Sequence, residues 1–491
     1  MIRNPVLPGF HPDPSIVRVG DDYYLATSTF EWYPGVRVHH SRDLVHWRPL
    51  GGILTERRLL DLSGVPDSGG VWAPDLTYHD GLFHLVYGVM DNYALGYKDI
   101  ANYLITAPSI EGPWSDPVRL PGRGFDAALY HEDGRSWLLN MVFDSRPGRG
   151  FAGIEMQPLD GGKPELILPN RNITEGPHIY RIDGWYYLMV AEGGTGYEHG
   201  TTVLRSRSLA GPYEEDPAGP MLTSRHDPSL ALQKAGHGCL VQTQTGEWYV
   251  AHLVARPYHN RRCVLGRETA LQRVVWEDGW PRVAGGVAAA EVVPPALPAH
   301  PWPAAEDSPS GLGTDWSTLR RPASPDWLVA DPGGFTVQGG QSPYGLRSPS
   351  LVARRVTAQK CSLEAVMRFE PDSVHQSAGI TAYYNSRNWH YLALTTDGLV
   401  LTSSDRGTRT EHLLGPAGPE VRLRVEFDGP VVRFNDGPEL DATIVSDEHA
   451  DEFIDGHVRA FGFTGAFAGF WVQDLAGEGC AARFEQIRYD T

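Results

Sequence analysis

"DPSIVRVGDDYYLATS", residues 13–28, joins an apolar strand, a tight Gly/Asp turn and an aromatic-rich strand, and the same pattern recurs four more times along the chain. The later copies are "APDLTYHDGLFHLVYG" from Ala73, "DAALYHEDGRSWLLNM" from Asp126, "EGPHIYRIDGWYYLMVA" from Glu175 and "HGCLVQTQTGEWYVAHL" from His237. Aligned on the turns at Asp21, Gly81, Gly134, Gly184 and Gly246, the units are spaced by 60, 53, 50 and 62 residues. Each interval has room for about four short strands, and helical periodicity is nearly absent. Strand-rich repeats of this length mark the blades of a β-propeller. Five units ending near residue 293 predict an all-β fold that begins with a five-bladed propeller over residues 1–293.

The register of the repeat also gathers charge. Asp13 and Asp126 lie 8 residues before their turns, and Glu175 and His237 lie 9 before theirs. The innermost strands of a propeller line its axis, so equivalent strand starts converge. Three carboxylates and a histidine, separated by more than 200 residues of chain, are thereby predicted to face one pocket. The second unit carries Ala73 there, with Trp72 and Asp75 beside it. Asp13 sits between Pro12 and Pro14, which predicts a stiff, extended backbone.

"PPALPAHPWP", residues 294–303, holds five prolines in ten positions and marks a linker, assigned to residues 294–308. Beyond it the repeat stops. Segments such as "CSLEAVMRFEP" and "VRLRVEFDGPVVRFNDG" alternate in side-chain character between Gly/Asp turns. They predict a two-sheet β-sandwich of jelly-roll type over residues 309–491.

The 491 residues carry a net charge of −18 and are 41% hydrophobic, with no apolar run of membrane-spanning length. The charge argues against nucleic acid and anionic membranes as partners and favours a neutral substrate. The start of the chain does not read as a signal peptide, and the four cysteines have no metal-like spacing, which predicts unpaired thiols in a cytoplasmic protein.

Three converging acids permit two chemistries. They can hold a hard cation, which prefers several oxygen donors. They can also hydrolyse a glycosidic bond, with one carboxylic acid protonating the leaving oxygen and a second carboxylate acting as base or nucleophile. A third carboxylate nearby raises the pKa of the acid.

"HPDPS", "GVWAPDL" (70–76), "GFDAALY" (124–130), "ITEGPHIY" (173–180), "GHGCLVQT" (236–243) and "LGRETALQ" (265–272) resemble glycoside hydrolase family 43. The likeness is to its β-xylosidase branch with a second, concanavalin-like β-domain that packs on the active-site face. The resemblance implies an exo-acting enzyme that inverts the anomeric centre and releases xylose from xylo-oligosaccharides. It implies Asp13 as general base, Glu175 as general acid, and Asp126 as the group that tunes and orients Glu175. For inversion the base and acid are expected roughly 6.5–9.5 Å apart. Arg267 matches an arginine that bonds sugar hydroxyls, with a salt bridge to Glu268 as its structural alternative. Phe30 and Trp72 match aromatic positions around the pocket. Phe467, in "GFTGAFAGFWVQD", matches a phenylalanine that closes one side of it. His237 matches a histidine that in some relatives contacts a hydrated calcium, so a structural calcium is an expectation, although no cofactor is needed for the chemistry. Homo-oligomers, dimers or tetramers, are common in the branch.

Other functions stay open on sequence alone: an α-L-arabinofuranosidase or a dual activity, and a non-catalytic sugar-binding propeller. A retaining fructan enzyme shares five blades and three acids, but its "NDPNG"-like start and "RDP" motif are missing.

Overall fold

Five antiparallel units, four of four strands and the fourth in order of five, succeed one another along the first part of the chain, in a computed structural model that describes residues 1–258, 260–303 and 312–491. Residues 304–308 of the expected linker and 309–311 of the expected second domain lie outside the described residues. Blade one comprises Ser15–Val19, Asp22–Thr27, Gly35–Ser41 and Arg48–Leu54, and blade two Gly70–His79, Leu82–Asn92, Asp99–Ala107 and Val118–Arg119. The innermost strands of blades three, four and five are Gly124–Glu132, Glu175–Ile182 and Gln233–Gln242. The hairpin between the first two strands of blades two, three and four turns through Asp80-Gly81, Asp133-Gly134 and Asp183-Gly184, with φ positive at both residues of each pair. Asp and Gly tolerate that conformation, whose twist matches the flanking strands. The same dipeptides made the repeat visible. The ring is fastened where Ile2–Arg3 pairs with Glu291–Val292, reinforced by the Asn4 side chain, which donates to the carbonyls of Leu271 at 2.8 Å and Ala289 at 2.9 Å.

The innermost strands of blades two to five are irregular at their starts. Register breaks occur between Trp72 and Asp75, Phe125 and Ala128, Glu175 and His178, and Gly236 and Cys239. Such bulges re-aim side chains and cluster next to active sites. Asp126 and His237 lie inside bulges with φ of 53° and 51°, and Glu175 immediately precedes Gly176 at 57°. Asp13 departs from the extended backbone predicted for it: its φ is 54°, in the left-handed region. The flanks are pinned, His11 N–H donating to the Arg267 carbonyl at 2.9 Å and the Pro12 carbonyl accepting from Ser28 N–H at 3.1 Å, so the chain turns between them. Left-handed non-glycine residues cost of order 1–3 kcal/mol and persist where surrounding structure imposes them.

The remaining described residues form two packed sheets, one of eight strands and one of seven, and a two-stranded ribbon of Glu452–Ile454 and His457–Ala460. Strand Glu420–Asp428 shows why: Val421, Leu423, Val425 and Phe427 alternate inward against Phe470 and Phe484. Among the described residues no helix is long and apolar enough to cross a membrane. The eight-stranded sheet has one feature the sequence pattern conceals, because its edge strand is Trp32–Tyr33, contributed by blade one and paired with Trp316–Leu319. Phe10, Phe30 and Trp32 of the propeller share one apolar core with Leu319, Phe467 and Trp471 of the sandwich. The buried Arg320 guanidinium crosses the same boundary to Asp67 Oδ1 at 2.7 Å, and the Arg320 amide donates to the Glu31 carbonyl at 2.8 Å.

Candidate active site

The bulged strand starts surround a cavity of about 220 Å³ lined by Asp13, Asp126, Glu175 and His237, together with Arg267, Phe30 and Trp72. The constellation predicted from the repeat register is therefore assembled. Asp13 and Glu175 are 5% and 8% exposed, so their protonation is set by neighbours more than by bulk water.

Asp13 is held by three donors. Arg267 Nη1 donates to its Oδ1 at 3.0 Å, His237 Nδ1 lies 3.4 Å from the same oxygen, and Ser28 Oγ donates to Oδ2 at 2.7 Å. Burial alone would raise its pKa, but the Arg267 charge, His237 and Ser28 overcome it and hold the carboxylate well below its usual range. Glu175 lies at the other extreme. Burial first, then the charge of Asp126, push it up to about 8, against the opposing charges of His237 and Lys98. The larger cause is thus desolvation, with the third acid second. Asp126 is itself raised to about 6, chiefly by burial, and accepts the Gly176 N–H at 3.0 Å, which fixes the backbone beside Glu175. The opposed shifts favour an ionised Asp13 beside a protonated Glu175, with Asp126 the more acidic member of its pair with Glu175. A carboxylate and a carboxylic acid lining one cavity can together remove one proton and deliver another.

His237 is tied to this cluster. Burial lowers its pKa, but the hydrogen bond to Asp13 and the charges of Asp13, Asp126 and Glu175 reverse the sign. Its ring packs on Gly176, where a Cβ would stand 2.8 Å from Nε2. Among the described residues no group of three or more His, Cys, Asp or Glu side chains is arranged to hold a metal ion.

Arg267 is 2% exposed and does not form the alternative salt bridge to Glu268. Glu268 instead accepts from Arg256 twice at 2.7 Å. Besides Asp13, Arg267 reaches the Phe463 carbonyl at 3.0 Å, coupling the base of the cavity to the second domain. Phe30 and Trp72 both line the cavity and belong to the shared core. Asp75 accepts Ser15 Oγ at 3.1 Å and Leu129 N–H at 2.8 Å, bracing blades one to three without lining the cavity.

Phe467 is a correction. It is fully buried and stacked on Trp32, ring centroids 3.9 Å apart, and does not line the cavity. It opens strand Phe467–Asp474, whose pairing turns this side chain into the joint between the domains. The wall from the second domain is instead Phe461 and Phe463, stacked at 4.3 Å, with Asp451 and Phe453 beside them. Ser68 holds this wall to the propeller: its Oγ donates to the Phe461 carbonyl at 2.7 Å and accepts Phe463 N–H at 3.3 Å, while its carbonyl accepts Trp72 Nε1–H at 2.9 Å. Lys98 was also missed. It is half-buried, with Nζ 5.1 Å from the ring centroids of Trp72 and Phe461 and 5.3 Å from that of Phe125, and burial lowers it to about 8. No periodic signal marks a lysine in a loop.

The first part of the chain, residues 2–281, matches the model for glycosyl hydrolases family 43, and residues 307–490 match the β-xylosidase C-terminal concanavalin A-like domain. A xylosidase/arabinosidase from Humicola insolens is 42% identical over 539 residues, spanning 99% of this chain and 97% of its own. A β-xylosidase from Bacillus subtilis is 41% identical over 531 residues, spanning 99% of both. The crystal structure of a xylan β-1,4-xylosidase from Bacillus halodurans superposes with a TM-score of 0.94 at 44% identity, covering all of both chains. With the propeller matched over more than half of its length and such likeness running from end to end, the chain belongs to glycosyl hydrolases family 43.

Proposed function

We propose that the protein is an exo-acting, inverting β-xylosidase that releases xylose from the non-reducing ends of β-1,4-xylo-oligosaccharides. The observation that carries this reading is the opposed ionisation of two acids in one cavity, Asp13 driven down and Glu175 driven up. In the proposed reaction Asp13 takes a proton from a water as that water's oxygen bonds to the anomeric carbon. Glu175 gives its proton to the glycosidic oxygen as the old bond breaks. One turnover leaves Asp13 protonated and Glu175 ionised, and exchange with solvent resets both. Asp126 keeps Glu175 protonated through its charge and keeps it aimed through Gly176. Phe30, Trp72 and Phe463 offer apolar faces to the sugar ring, and the Phe461–Phe463 wall supports attack on chain ends.

Release of α-L-arabinofuranose is the second reading. It is favoured by the relative named for both activities and by the similar hydroxyls of the two sugars. A cytoplasmic location is part of the proposal, supported by four unpaired cysteines, as is assembly into dimers or tetramers. Digestion of xylohexaose tests the exo reading: xylose and xylopentaose should appear first. Early xylobiose and xylotetraose would overturn it, and turnover confined to arabinofuranosides would move the second reading forward.

A further inference from the structure

A second cavity of about 220 Å³ lies between blade one and the sandwich, and its wall concentrates positive charge in a chain whose net charge is −18. Arg37 comes from strand Gly35–Ser41, and Arg354 and Arg355 from strand Ser350–Arg355 of the other domain. Arg37 and Arg355 are 3% and 5% exposed. Among the described residues neither meets a carboxylate. Arg37 donates to the carbonyls of Thr314 and Trp316 and to Ser317 Oγ at 2.8 Å. Arg355 donates to the Phe10 carbonyl at 2.6 Å and to Ser317 Oγ at 3.3 Å. Arg37 Nε, Arg355 Nη2, Arg354 Nε and His39 Nδ1 are buried with no hydrogen-bond partner among the described residues.

Among the described residues one acid, Asp315, borders the cavity. It lies at the rim, 58% exposed, and engages Arg354 at 3.2 Å. The two histidines on the wall, His11 and His39, stay neutral: burial and the neighbouring arginines push His39 down to about 3 and His11 well below its usual value. Among the described residues, three guanidinium groups on this wall therefore meet one exposed carboxylate. Buried charge without a partner is strongly unfavourable, and buried donors are nearly always satisfied. Planar guanidinium forks match the geometry of oxyanions, with charge-assisted bonds stronger than neutral ones.

We propose that this cavity binds a small oxyanion, a phosphate or a carboxylate, through Arg37, Arg354 and Arg355. The bound anion would join the two domains, because Arg37 belongs to one and Arg354 and Arg355 to the other. It would also steady the segment leading to Asp13, through the hold of Arg355 on the Phe10 carbonyl. The site is independent of the catalytic reading.

Titration of the full-length protein with inorganic phosphate, against sodium chloride at equal ionic strength, tests it. Calorimetry should give one phosphate per chain, and the melting temperature should rise to saturation. Arg354→Gln, beside Asp315 at the rim, should weaken binding by about tenfold, the loss of one charge-assisted bond. Acetate in place of phosphate distinguishes the sources: the tighter of the two identifies the class. A rise that never saturates and follows ionic strength is a general salt effect and overturns the proposal. Equal binding by wild type and Arg354→Gln also overturns it. Crystals soaked in selenate locate the site independently of any variant: anomalous density between Arg37 and Arg355 supports the assignment, and none at saturating selenate refutes it.

Discussion

Replacing Arg267 by methionine removes the guanidinium from Asp13 and keeps much of the side-chain volume. Two unit charges about 4 Å apart, at an effective dielectric constant near 20, attract by about 4 kcal/mol. At about 1.4 kcal/mol per pKa unit, that sets an upper limit near 3 units on the rise of Asp13. His237 at 3.4 Å and Ser28 at 2.7 Å remain in place. With these and some added water the rise should be about 2 units. A base works ionised, so activity falls as pH drops through the pKa of Asp13. In the wild type that acidic limb lies far down because the pKa is depressed. In Arg267→Met it should climb by about 2 pH units in the profile of kcat/KM, which reports the free enzyme. The basic limb should stay, since burial and Asp126 dominate the rise of Glu175. The assay is the pH dependence of kcat/KM on an aryl β-xyloside. A slower variant with an unmoved acidic limb would show that Arg267 does not set the ionisation of the base.

Two further perturbations separate roles within the cavity. Asp126→Asn removes a negative charge beside Glu175, so Glu175 loses its proton at lower pH and the basic limb should move down from about 8. A basic limb that keeps its position would contradict electrostatic coupling of the pair. Phe467→Ala empties a fully buried site stacked on Trp32 and should cost about 3–5 kcal/mol of stability while leaving KM nearly unchanged. Phe463→Ala, at the cavity wall, should do the reverse, raising KM with a smaller loss of stability. Urea unfolding and steady-state kinetics on both variants read the contrast, and a larger KM effect at Phe467 would reverse the assignment.

The blades were legible because their hairpins need residues that tolerate positive φ, and the Asp-Gly pairs of blades two, three and four, with Gly20 and Gly246 in the other two, mark them at nearly constant distance from the strand starts. That register also brought out Asp13, Asp126, Glu175 and His237. It could not reveal the backbone at Asp13, where two prolines suggest extension but contacts on both flanks impose a left-handed turn. Trp32–Tyr33 is too short to read as a strand, and its partner lies nearly 300 residues away. "FGFTGAF" offers three phenylalanines, and which of them faces the cavity depends on the pairing of the strand that Phe467 opens. Lys98 and Ser68 act through neighbours from other blades and from the second domain, so no local pattern announces them. The arginines of the second cavity are likewise split between domains.

The central claim is that Asp13 and Glu175 work as base and acid on opposite sides of the anomeric carbon. A proton NMR time course with xylobiose, recorded before mutarotation, tests it most directly. The account predicts α-xylose as the first product from the non-reducing end. β-Xylose as the first product would mean retention, with a carboxylate attacking the sugar itself, and would contradict the roles given to both residues.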